Sequence, residues 1–546
     1  AEPACSMVFA LAAVALIGYP RTSRISVSAD HHFRDEFGRV RIFRGFNDID
    51  ESMRDAGPYD SHNYIPRLIR NETLLTLLTD EYGFNCFRIM SAWAALQPAP
   101  NATDNNYLTA LLNTTQLLAR HGAFTILDMH NELTLSSLFA GAGAGDGAPR
   151  WLVNRTIPHH AFPWPYNDTT NAAFTEAVMQ TWEDIFLDTH GGLQAWADAW
   201  RTFARAFRSE PSVLSYDLIN EPWPGDVYTN PTILVPGVAG ARLESAYDVV
   251  ASAIREVDDE TIVMYEPVTW GVIAPATDKS IPKLLGPGFS SVPGGAAYAN
   301  RSAYSFHYYC WLDQNGDRQI PEPALKKAAC DAEWGLGQHV LDSAEQTQQL
   351  LGGASFLTEF GGVWFTPDAA QPNASESTET EWVLSQADAR LQSWTFWDLS
   401  FLFNVPVGQQ KSRADANSAA PPVNTAVGVE KMGWCNDDHC LWPFVRPYAQ
   451  AIAGTPIAMR FDSASSMFTL TMRPDATVAA PTEIFVPPHR YPDGFVVQTE
   501  PPSPIVSWVA CEGRRNAICV TMNTASGAPP PTTVTVTIAP HPHARR

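Results

Sequence analysis

The chain has 546 residues, more than the roughly 250–300 at which one hydrophobic core usually stops growing, so a large domain with a smaller module is expected. Apolar residues make up 45% and charged residues 17% of the sequence, which excludes a disordered or coiled-coil protein. The 58 acidic and 36 basic side chains give a formal net charge of -22, and this charge disfavours nucleic acid as a partner because it repels phosphate backbones.

The N-terminal region contains one apolar run, Met7–Gly18. The run is too short to span a bilayer comfortably and has the length of the apolar core of a signal peptide. Its flank lacks the expected basic residues, because Glu2 precedes it and Arg21 follows it. A signal-like extension over residues 1–29 and a buried element of the mature protein therefore stay equally open. No later segment has the length of a membrane anchor.

Sequons and cysteine pairs indicate an oxidising compartment. Seven Asn-x-Ser/Thr sequons begin at Asn71, Asn101, Asn113, Asn154, Asn167, Asn300 and Asn373. Three close cysteine pairs could form short disulfide loops: Cys310/Cys330, Cys435/Cys440 and Cys511/Cys519. Cys86, inside an apolar strand, is expected to be a buried free thiol. We predict a glycoprotein that is secreted or resides in the lysosomal or endomembrane lumen; its oligomeric state is left open.

From about residue 40, short β-rich runs alternate with amphipathic helical runs, which is typical of parallel βα units. The predicted strands are Arg41–Asn47, Asn85–Trp93, Ala123–His130, Val213–Glu221, Thr261–Val268, Ala303–Tyr309, Ser355–Gly361 and Ser393–Leu399. Eight strands are the number of a closed (β/α)8 TIM barrel, predicted here over residues 30–446. From residue 447 to 546 the apolar residues alternate with period two, and this pattern predicts a C-terminal antiparallel β-sandwich.

Two glutamates end predicted barrel strands. Glu221 follows Asn220 and precedes Pro222, which ends the strand, while Glu359 precedes a Gly-Gly pair that lets a ligand approach. The C-terminal ends of barrel strands meet at one mouth. A protonated carboxyl and a carboxylate at one mouth are what retaining hydrolysis of a glycosidic bond requires. We predict Glu221 as the catalytic acid/base and Glu359 as the nucleophile.

Other strand-end side chains are predicted to bind the substrate or to hold the nucleophile. Arg88 and Tyr308 would keep Glu359 ionised and aligned. Asn220 would hydrogen-bond the 2-hydroxyl of the sugar.

The remaining strand-end residues line the same predicted sugar subsite. His130 and Trp397 would bind and stack the sugar ring, and His307 is a further substrate-binding candidate. Glu266 and Asp398 are interpreted as hydrogen-bond partners at the mouth rather than participants in the reaction.

The sequence predicts neither a metal nor a cofactor. His31-His32 and His159-His160 are interpreted as surface residues, because the sequence supplies no third ligand near either pair.

The strand-end residues from Arg88 to Trp397 resemble those of glycoside hydrolase family 5, a (β/α)8 family of retaining enzymes. This resemblance implies the same roles for Glu221 and Glu359. It is closest to the endoglycoceramidases and related glycosylceramidases, which release the glycan from ceramide. The segments that carry it are Ile42–Asn47, Leu127–His130, Gly145–Trp151, Gly191–Gln194 and Ala453–Pro456. It implies a glycosphingolipid substrate and contact with a lipid surface or micelle.

Two segments depart from the pattern of these enzymes. Asn131-Glu132 stands where Gln-Asp is usual, so Glu132 is predicted to contact the sugar through a carboxylate with one extra methylene group. The acidic segment Asp48-Ile49-Asp50-Glu51 stands where a lysine is often found, and a negative rim there predicts neutral rather than sialylated glycans.

Apolar insertions beside the mouth predict a trough for lipid chains. They are Leu133–Phe139, Trp151, Phe162–Trp164 and Trp182. Ordinary core packing of long loops is the alternative, and Trp182 could instead border the sugar subsite.

Three other functions stay open. A β-glucosidase acting on steryl glucosides or glucosylceramide would use the same two carboxylates. A cellulase-like endoglucanase is less favoured, because the lipid-glycosidase motifs outnumber signs of a long open groove. A non-catalytic glycolipid-binding protein is disfavoured by the intact pair Glu221 and Glu359.

Overall fold

Eight parallel strands close into a barrel, which confirms the predicted fold class. The structure is a computed structural model that describes residues 22–48, 65–130, 147–167, 174–274, 284–309, 336–361, 376–404, 430–431, 441, 443–522 and 531–542. With strands numbered along the chain, the barrel consists of β4 (Arg44–Asp48), β5 (Cys86–Met90), β6 (Phe124–Asp128), β7 (Val213–Asp217), β8 (Ile262–Tyr265), β9 (Ser302–Tyr308), β10 (Ala354–Phe360) and β11 (Ser393–Phe396). Strand β11 pairs in parallel with β4, placing Trp394 opposite Arg44, and this pairing closes the barrel.

Several barrel strands end earlier than the sequence predicts. Strand β7 ends at Asp217, four residues before Glu221, and β11 ends at Phe396. Glu221 and Trp397 therefore lie in the loops that leave the strands at the barrel mouth. These loops carry the polar and aromatic groups, while the strands below them are fully buried.

Amphipathic helices surround the barrel. The described helices are α1 (Glu72–Thr76), α2 (Trp93–Leu96), α3 (Asn105–Arg120), α4 (Arg150–Val153), α5 (Glu176–Phe186), α6 (Gly192–Phe207), α7 (Pro236–Arg255), α8 (Leu336–Leu351) and α9 (Glu376–Ala389). Short 3₁₀ or π turns span Leu77–Glu81, Pro231–Leu234, Thr269–Val272, Ala296–Arg301, Leu399–Phe401 and Pro488–Arg490. In α6, Trp196, Trp200 and Phe203 are buried at helical spacing, so this stripe packs on the barrel.

The floor of the barrel is apolar. Cys86 of β5 packs with Phe124 and with Ile25 and Phe33, which belong to the N-terminal strands β1 (Ile25–Val27) and β2 (Phe33–Asp35). Cys86 is a buried free cysteine, as predicted, and burial raises the pKa of its thiol well above the ordinary value. Two residues further along β5, Arg88 faces the same interior because side chains alternate along a strand. The polar layer at the mouth begins with this arginine.

Two antiparallel sheets pack over a second hydrophobic core, as predicted for the C-terminal region. One sheet has the order β15-β16-β21-β18, and the other has the order β1-β2-β3-β14-β17-β20-β19. The strand bounds are β3 (Val40–Arg41), β14 (Tyr448–Ile452), β15 (Gly454–Asp462), β16 (Met467–Pro474), β17 (Thr482–Phe485), β18 (Phe495–Glu500), β19 (Val506–Ala510), β20 (Ala517–Met522) and β21 (Val534–Pro540). A separate two-stranded ribbon pairs β12 (Phe403–Asn404) with β13 (Glu430–Lys431).

The seven-stranded sheet joins the beginning of the chain to its C-terminal region. Strand β3 pairs with β14, placing Arg41 opposite Ala451. Buried ion pairs reinforce this junction, because Arg39 contacts Asp35 at 2.9 Å and Glu483 at 2.6 Å. Although burial raises the pKa of Glu483, the surrounding arginines hold it below its ordinary value. The sheet therefore includes strands from both sides of the proposed boundary at residue 446/447.

Cys511 and Cys519 form a disulfide with a Cα–Cα distance of 5.0 Å, which confirms one predicted pair. The other two predicted pairs lie outside the described residues. Of the helices that the structure describes, none combines the length and hydropathy needed to cross a lipid bilayer.

Candidate active site

Arg88 occupies the centre of the barrel mouth. Its buried guanidinium donates hydrogen bonds to five side-chain oxygens and forms an ion pair with a sixth, Asp128 Oδ1. The distances are 3.1 Å to Asn47 Oδ1, 2.9 Å to Asp128 Oδ1, 3.0 Å to Asp217 Oδ2, 2.8 Å to Asn220 Oδ1, 3.2 Å to Glu266 Oε1 and 2.6 Å to Glu359 Oε1. Burial by itself would lower the pKa of Arg88, but the surrounding carboxylates raise it well above the ordinary value. The guanidinium is thus a fixed cation beneath the mouth.

Glu359 lies near the end of β10, and both of its oxygens accept hydrogen bonds. Arg88 Nη1 donates to Oε1 at 2.6 Å, and the hydroxyl of Tyr309 donates to Oε2 at 2.8 Å. Charge-assisted bonds of this kind favour the ionised carboxylate and fix its orientation. Glu359 is therefore held as an aligned anion, the state that a nucleophile requires.

Glu221 lies in the loop after β7, in a backbone conformation that is uncommon for a non-glycine residue. Its φ is 40°, and such residues cost about 1–3 kcal/mol unless their surroundings hold them. The N–H of Glu221 donates to Glu266 Oε2 at 3.0 Å, and its carboxyl oxygen Oε1 lies 2.8 Å from His307 Nδ1. Backbone and side chain are thus each anchored by a neighbouring barrel strand.

The two glutamates are close together. Oxygens of Glu221 and Glu359 lie within 4.8 Å of each other, with His307 Nδ1 between them at 2.8 and 3.4 Å. Retaining glycosidases place their carboxyl groups ~5–5.5 Å apart, whereas inverting enzymes leave ~6.5–9.5 Å for a water molecule. The separation fits the retaining geometry.

His307 on β9 contacts three carboxylates. Besides Glu221 and Glu359, it contacts Glu266 through Nε2 at 3.3 Å. Burial by itself would lower the pKa of His307, but the charges of Glu266 and Glu359 and the hydrogen bonds to Glu221 and Glu266 raise it well above the ordinary value. A protonated imidazole is therefore favoured between the carboxylates.

Asp217 lies below the mouth, beside Arg88. Burial raises the pKa of the Asp217 carboxyl well above its ordinary value, and the charges of Glu266 and Asp128 add to this effect while Arg88 opposes it. Asp217 therefore retains a proton at a pH where ordinary carboxyls have lost theirs. A protonated Asp217 is neutral, so the positive charge of Arg88 would interact more strongly with Glu359.

His130 and Trp397 form an aromatic corner at the mouth. Their rings stack with centroids 5.0 Å apart and an interplanar angle of 11°. His130 Nδ1 is 2.8 Å from Asp128 Oδ2, which fixes the imidazole orientation. Asn220 is fixed as well, because its amide oxygen accepts from Arg88 at 2.8 Å. The structure thus brings Arg88, His130, Asn220, His307 and Trp397 together around the two glutamates.

Tyr308 does not hold Glu359, contrary to the prediction, because the bonded phenol is that of Tyr309. The ring of Tyr308 packs against Trp382 with centroids 6.1 Å apart. Alternation explains the difference, since His307 and Tyr309 share one face of the strand and Tyr308 points to the other. The two-residue spacing from His307 was the signal that could have identified Tyr309.

Trp182 lies in the hydrophobic core rather than in a trough or subsite. It is 1% exposed and stacks on Phe186 with centroids 5.5 Å apart. Val178, Ile185 and Phe186 are buried on the same helix α5. Their three- and four-residue spacing from Trp182 marks this face as core.

Other predicted residues are partly outside the described chain. Glu132, Leu133–Phe139, Asp50 and Glu51 are not described. Asp48 is buried, and its carboxylate accepts from the N–H of Ile69 at 3.0 Å, so it contributes no negative rim. Asp398 caps a 3₁₀ turn by accepting from the N–H of Ser400 at 2.9 Å, as interpreted.

His159 has two carboxylates nearby, contrary to the expectation that no further ligands are available. Donor atoms of His159, Glu176 and Asp226 lie within 4.8 Å of one another. Glu176 accepts from the backbone N–H of His160 at 2.8 Å, and Asp226 accepts from Tyr228 N at 3.0 Å. These bonds show that the carboxylates support the local fold of two loops.

A mainly apolar cavity lies beside Glu221. It opens to solvent, its volume is about 50 Å³, and Glu359 is not among its lining residues. Its walls are formed by Glu221, Thr269, Trp270, Val272, Ile273, His307, Tyr308, Tyr309, Leu336 and Val340. Ile273 is 47% exposed, so the apolar surface extends to solvent.

Aromatic side chains extend this surface along the loops that follow β7 and β8. Trp270 meets Trp223 with ring centroids 5.6 Å apart, and Trp223 meets Phe174 at 4.8 Å. Phe174 is 43% exposed and Trp164 37% exposed. Of the predicted apolar insertions, Trp164 meets Tyr228 of the loop after β7 with ring centroids 5.0 Å apart, whereas Trp151 hydrogen-bonds the carbonyl of Gln97 at 2.9 Å and packs on the core.

Family models match both regions of the chain. The model described as cellulase (glycosyl hydrolase family 5) matches residues 56–402. The model of the glycoside hydrolase family 5 C-terminal domain matches residues 446–538.

Individual proteins match over nearly the whole chain. An endoglycoceramidase of Cyanea nozakii is 28% identical over 544 residues, covering 94% of both proteins. Endoglycoceramidase I of Rhodococcus hoagii is 26% identical, covering 88% of this chain and 84% of its own length. The solved lactosyl-enzyme intermediate of endo-glycoceramidase II from Rhodococcus sp. superposes with a TM-score of 0.67 at 24% identity, covering 93% of this chain and 99% of that one.

Proposed function

Because the chain belongs to glycoside hydrolase family 5, it is a glycosidase, and we propose that it cleaves the β-glycosidic bond between glycan and ceramide in glycosphingolipids. The observation that carries this proposal is the apolar cavity beside Glu221. The catalytic acid of a glycosidase protonates the departing oxygen, so the cavity beside it receives the leaving group. Apolar walls there suit a lipid better than another sugar. Relatives named endoglycoceramidase, matched over most of the chain, support the same substrate.

Double displacement assigns the two glutamates different tasks. Glu359 attacks the anomeric carbon while Glu221 donates a proton to the ceramide oxygen, so the glycosidic bond breaks and a glycosyl-enzyme forms. Glu221, now a carboxylate, removes a proton from water, which attacks the same carbon and releases Glu359. Arg88 and Tyr309 keep Glu359 anionic before attack and accept its charge again at release.

The sugar in the reacting subsite would rest on the corner formed by His130 and Trp397. Sugars bind on flat aromatic faces, and the Trp397 ring is partly exposed beside the nucleophile. Asn220, oriented by Arg88, would reach the 2-hydroxyl, where hydrogen bonds strengthen in the transition state.

Product analysis by mass spectrometry tests this function. Lactosylceramide, glucosylceramide, galactosylceramide and a steryl glucoside are each incubated with the enzyme in detergent micelles, beside Glu359→Gln as the inactive control. We expect intact lactose and ceramide from lactosylceramide. Release of glucose from the steryl glucoside with no intact disaccharide would favour a β-glucosidase, and binding without cleavage by the wild type would favour a non-catalytic binder.

A preference for neutral glycans stays a prediction. It now depends on Asp50 and Glu51, since the carboxylate of Asp48 is engaged with the backbone. Lactosylceramide and its sialylated derivative compared at equal concentration test this preference, and equal turnover would contradict it.

We also propose that the protein acts in an oxidising compartment, secreted or lumenal, where it meets lipid surfaces. The disulfide between Cys511 and Cys519 supports this placement. The asparagines of five sequons are exposed, namely Asn101, Asn113, Asn154, Asn167 and Asn300. Glycopeptide mass spectrometry should find glycans among these five and none on buried Asn71. Occupancy confined to Asn71 would contradict the proposal.

A further inference from the structure

Glu266 takes no part in the proposed bond-breaking and proton-transfer steps, yet it contacts Arg88 and His307, the residues that contact Glu359 and Glu221. It follows β8 directly and is 3% exposed. Its oxygen Oε2 accepts from the N–H of Glu221 at 3.0 Å. Its other oxygen, Oε1, lies 3.2 Å from Arg88 Nη2 and 3.3 Å from His307 Nε2. One carboxylate thus joins the backbone of the proposed acid to two cationic groups at the mouth.

The contact to Glu221 is made where the chain most needs support. Glu221 has the left-handed φ of 40°, and Pro222 follows it, so the loop turns sharply at this residue. Rotation about this φ would swing the carboxyl away from the glycosidic oxygen. The preceding residue is held separately, because the N–H of Asn220 donates to the carbonyl of Met129 at 3.0 Å. Glu266 therefore holds the peptide group between Asn220 and Glu221, and the orientation of this group determines the direction of the Glu221 side chain.

The second oxygen fixes the other end of the same side chain. His307 contacts Glu266 through Nε2 and Glu221 through Nδ1, so its ring spans from one carboxylate to the other. Glu266 is itself held from behind, since its backbone carbonyl accepts from the hydroxyl of Tyr247 at 2.8 Å. Backbone and carboxyl of Glu221 are thus anchored on the same carboxylate, one directly and one through His307.

We propose that Glu266 is a positioning residue that aligns Glu221 for proton transfer to the leaving group and from water. The inference rests on the proposed acid/base role of Glu221. Glu266 does not touch the reacting atoms; it acts through the Glu221 peptide and the His307 ring. Its carboxylate must be an acceptor at both oxygens, because a backbone N–H faces one oxygen and the side-chain donors of Arg88 and His307 face the other.

The isosteric change Glu266→Gln tests this role. An amide has one acceptor oxygen and one donor group, so it cannot satisfy both sets of donors. Substrates are aryl β-lactosides that differ in leaving-group acidity. A 4-methoxyphenyl group requires protonation, whereas a 2,4-dinitrophenyl group leaves without it. We expect kcat/KM to fall ~10²-fold or more for the first substrate and less than ~5-fold for the second, because general acid catalysis typically contributes 10²–10⁴-fold.

Azide provides a second readout. In the variant, misaligned Glu221 activates water poorly, so the glycosyl-enzyme from the dinitrophenyl substrate accumulates. Azide needs no base; it attacks the anomeric carbon, the bond to Glu359 breaks, and lactosyl azide forms with Glu359 regenerated as a carboxylate. We expect azide to increase the turnover of Glu266→Gln and to leave the wild type unchanged. No azide effect in a folded variant would count against the proposal.

Two further variants separate the possible explanations. Glu183→Gln is the matched control, because Glu183 also accepts a backbone N–H in the loop after β7, that of Asp226 at 3.1 Å, away from the glutamate pair. It should not change the dependence on the leaving group. Glu221→Ala, which lacks the proposed acid/base, should show the full dependence of kcat/KM on leaving-group acidity.

Each outcome has a defined meaning. Equal losses on both aryl substrates in folded Glu266→Gln, or no loss on either, would overturn the role of Glu266 while Glu221→Ala still shows the dependence. Absence of the dependence in Glu221→Ala would instead overturn the proposed acid/base assignment. Thermal unfolding of each variant verifies that it is folded.

Discussion

Hydrogen bonds to Glu359, the proposed nucleophile, come from opposite sides of the mouth. Arg88 contacts one oxygen of Glu359 and Tyr309 the other. The guanidinium is shared among several carboxylates, so its removal would disturb the whole mouth, whereas the phenol hydroxyl of Tyr309 can be removed by deleting a single oxygen. Tyr309→Phe is therefore the milder test of how alignment of Glu359 affects catalysis.

Tyr309→Phe should lower kcat/KM by about 10–100-fold. A hydrogen bond to a charged group contributes ~1.5–3 kcal/mol, and each ~1.4 kcal/mol corresponds to a tenfold change in rate. Steady-state kinetics on lactosylceramide measure the effect. Tyr308→Phe is the matched comparison and should lose much less, because its ring packs against Trp382. A larger loss in Tyr308→Phe would show that the hydroxyl assignment is reversed.

At this scale the sequence predicted residue types better than residue contacts. Glu221, Glu359 and His130 could be selected because each lies at or just beyond the end of an apolar strand, and Arg88 because it is a charged residue within one. Adjacent tyrosines after β9 could not be distinguished by type, since only the face of the strand separates them. The hydrogen bond from the N–H of Glu221 to Glu266 could not be predicted either, because it depends on a backbone turn with positive φ at Glu221.

Helix α1 begins at Asn71, whose side chain caps the helix N-terminus. The Oδ1 of Asn71 accepts from the N–H of Leu74 at 3.0 Å, and Asn71 is 5% exposed. A glycan on this nitrogen would require the helix start to open. The sequon at Asn71 is therefore explained by capping rather than by modification.

Asn71→Ala should lower the free energy of unfolding by ~0.5–2 kcal/mol, the usual cost of losing an N-cap. Asn71→Asp keeps an acceptor at the cap while removing the sequon, so it should retain the wild-type stability. Denaturant unfolding of the three proteins compares them. Equal destabilisation by both substitutions would indicate that the cap bond contributes nothing.

Helices and strands were predictable where the local spacing of apolar residues determines them. Helix α6 forms where apolar residues recur at helical spacing and polar residues fill the rest. Strand ends were overextended, since the functional residues after β7 continue an apolar run beyond the last hydrogen-bonded pair. Trp182 was misplaced because an aromatic residue near the mouth suggested a ligand contact, while its spacing on α5 indicated the core.

For the whole molecule, buried titrating groups link stability to pH. His307 and Asp217 have raised pKa values in the folded chain. In the unfolded chain the pKa is near 6.5 for His307 and near 3.8 for Asp217. At a pH between this value and the higher pKa of the folded state, each group is protonated only in the folded state. Their stabilisation is therefore present at low pH and is lost as pH rises. Glu483 acts in the opposite sense, since its lowered pKa stabilises above about pH 4.5 and is lost on acidification.

We expect thermal stability to decrease from pH 6.5 to 8, because His307 and Asp217 retain protons in the folded state that the unfolded chain has lost, whereas Glu483 is ionised in both states over this range. Differential scanning calorimetry from pH 4 to 8 measures the unfolding midpoint. His307→Gln should flatten the decline above pH 6.5, because it removes the group that takes up the proton. A midpoint of the wild type that increases steadily from pH 6 to 8 would contradict this prediction.

The architecture was predictable at the level of a barrel followed by a sandwich, because periodicity changes along the chain. The composition of the seven-stranded sheet was not. Strands β1–β3 contain short apolar stretches that give no sign of their partner, and the pairing of Arg41 with Ala451 depends on contacts far apart in sequence.

That mixed sheet has a consequence for the order of events during synthesis. Residues 25–41 leave the ribosome long before β14, which pairs with β3 and follows about 400 residues later. At ~5–20 residues per second, the hairpin waits roughly 20–80 s for its partner strand. Its apolar face, which later covers the barrel floor, stays uncovered until the barrel strands up to β10 have been synthesised. Strands β1–β3 are thus made before most of the chain that covers them, and their apolar residues are candidates for chaperone binding in the meantime.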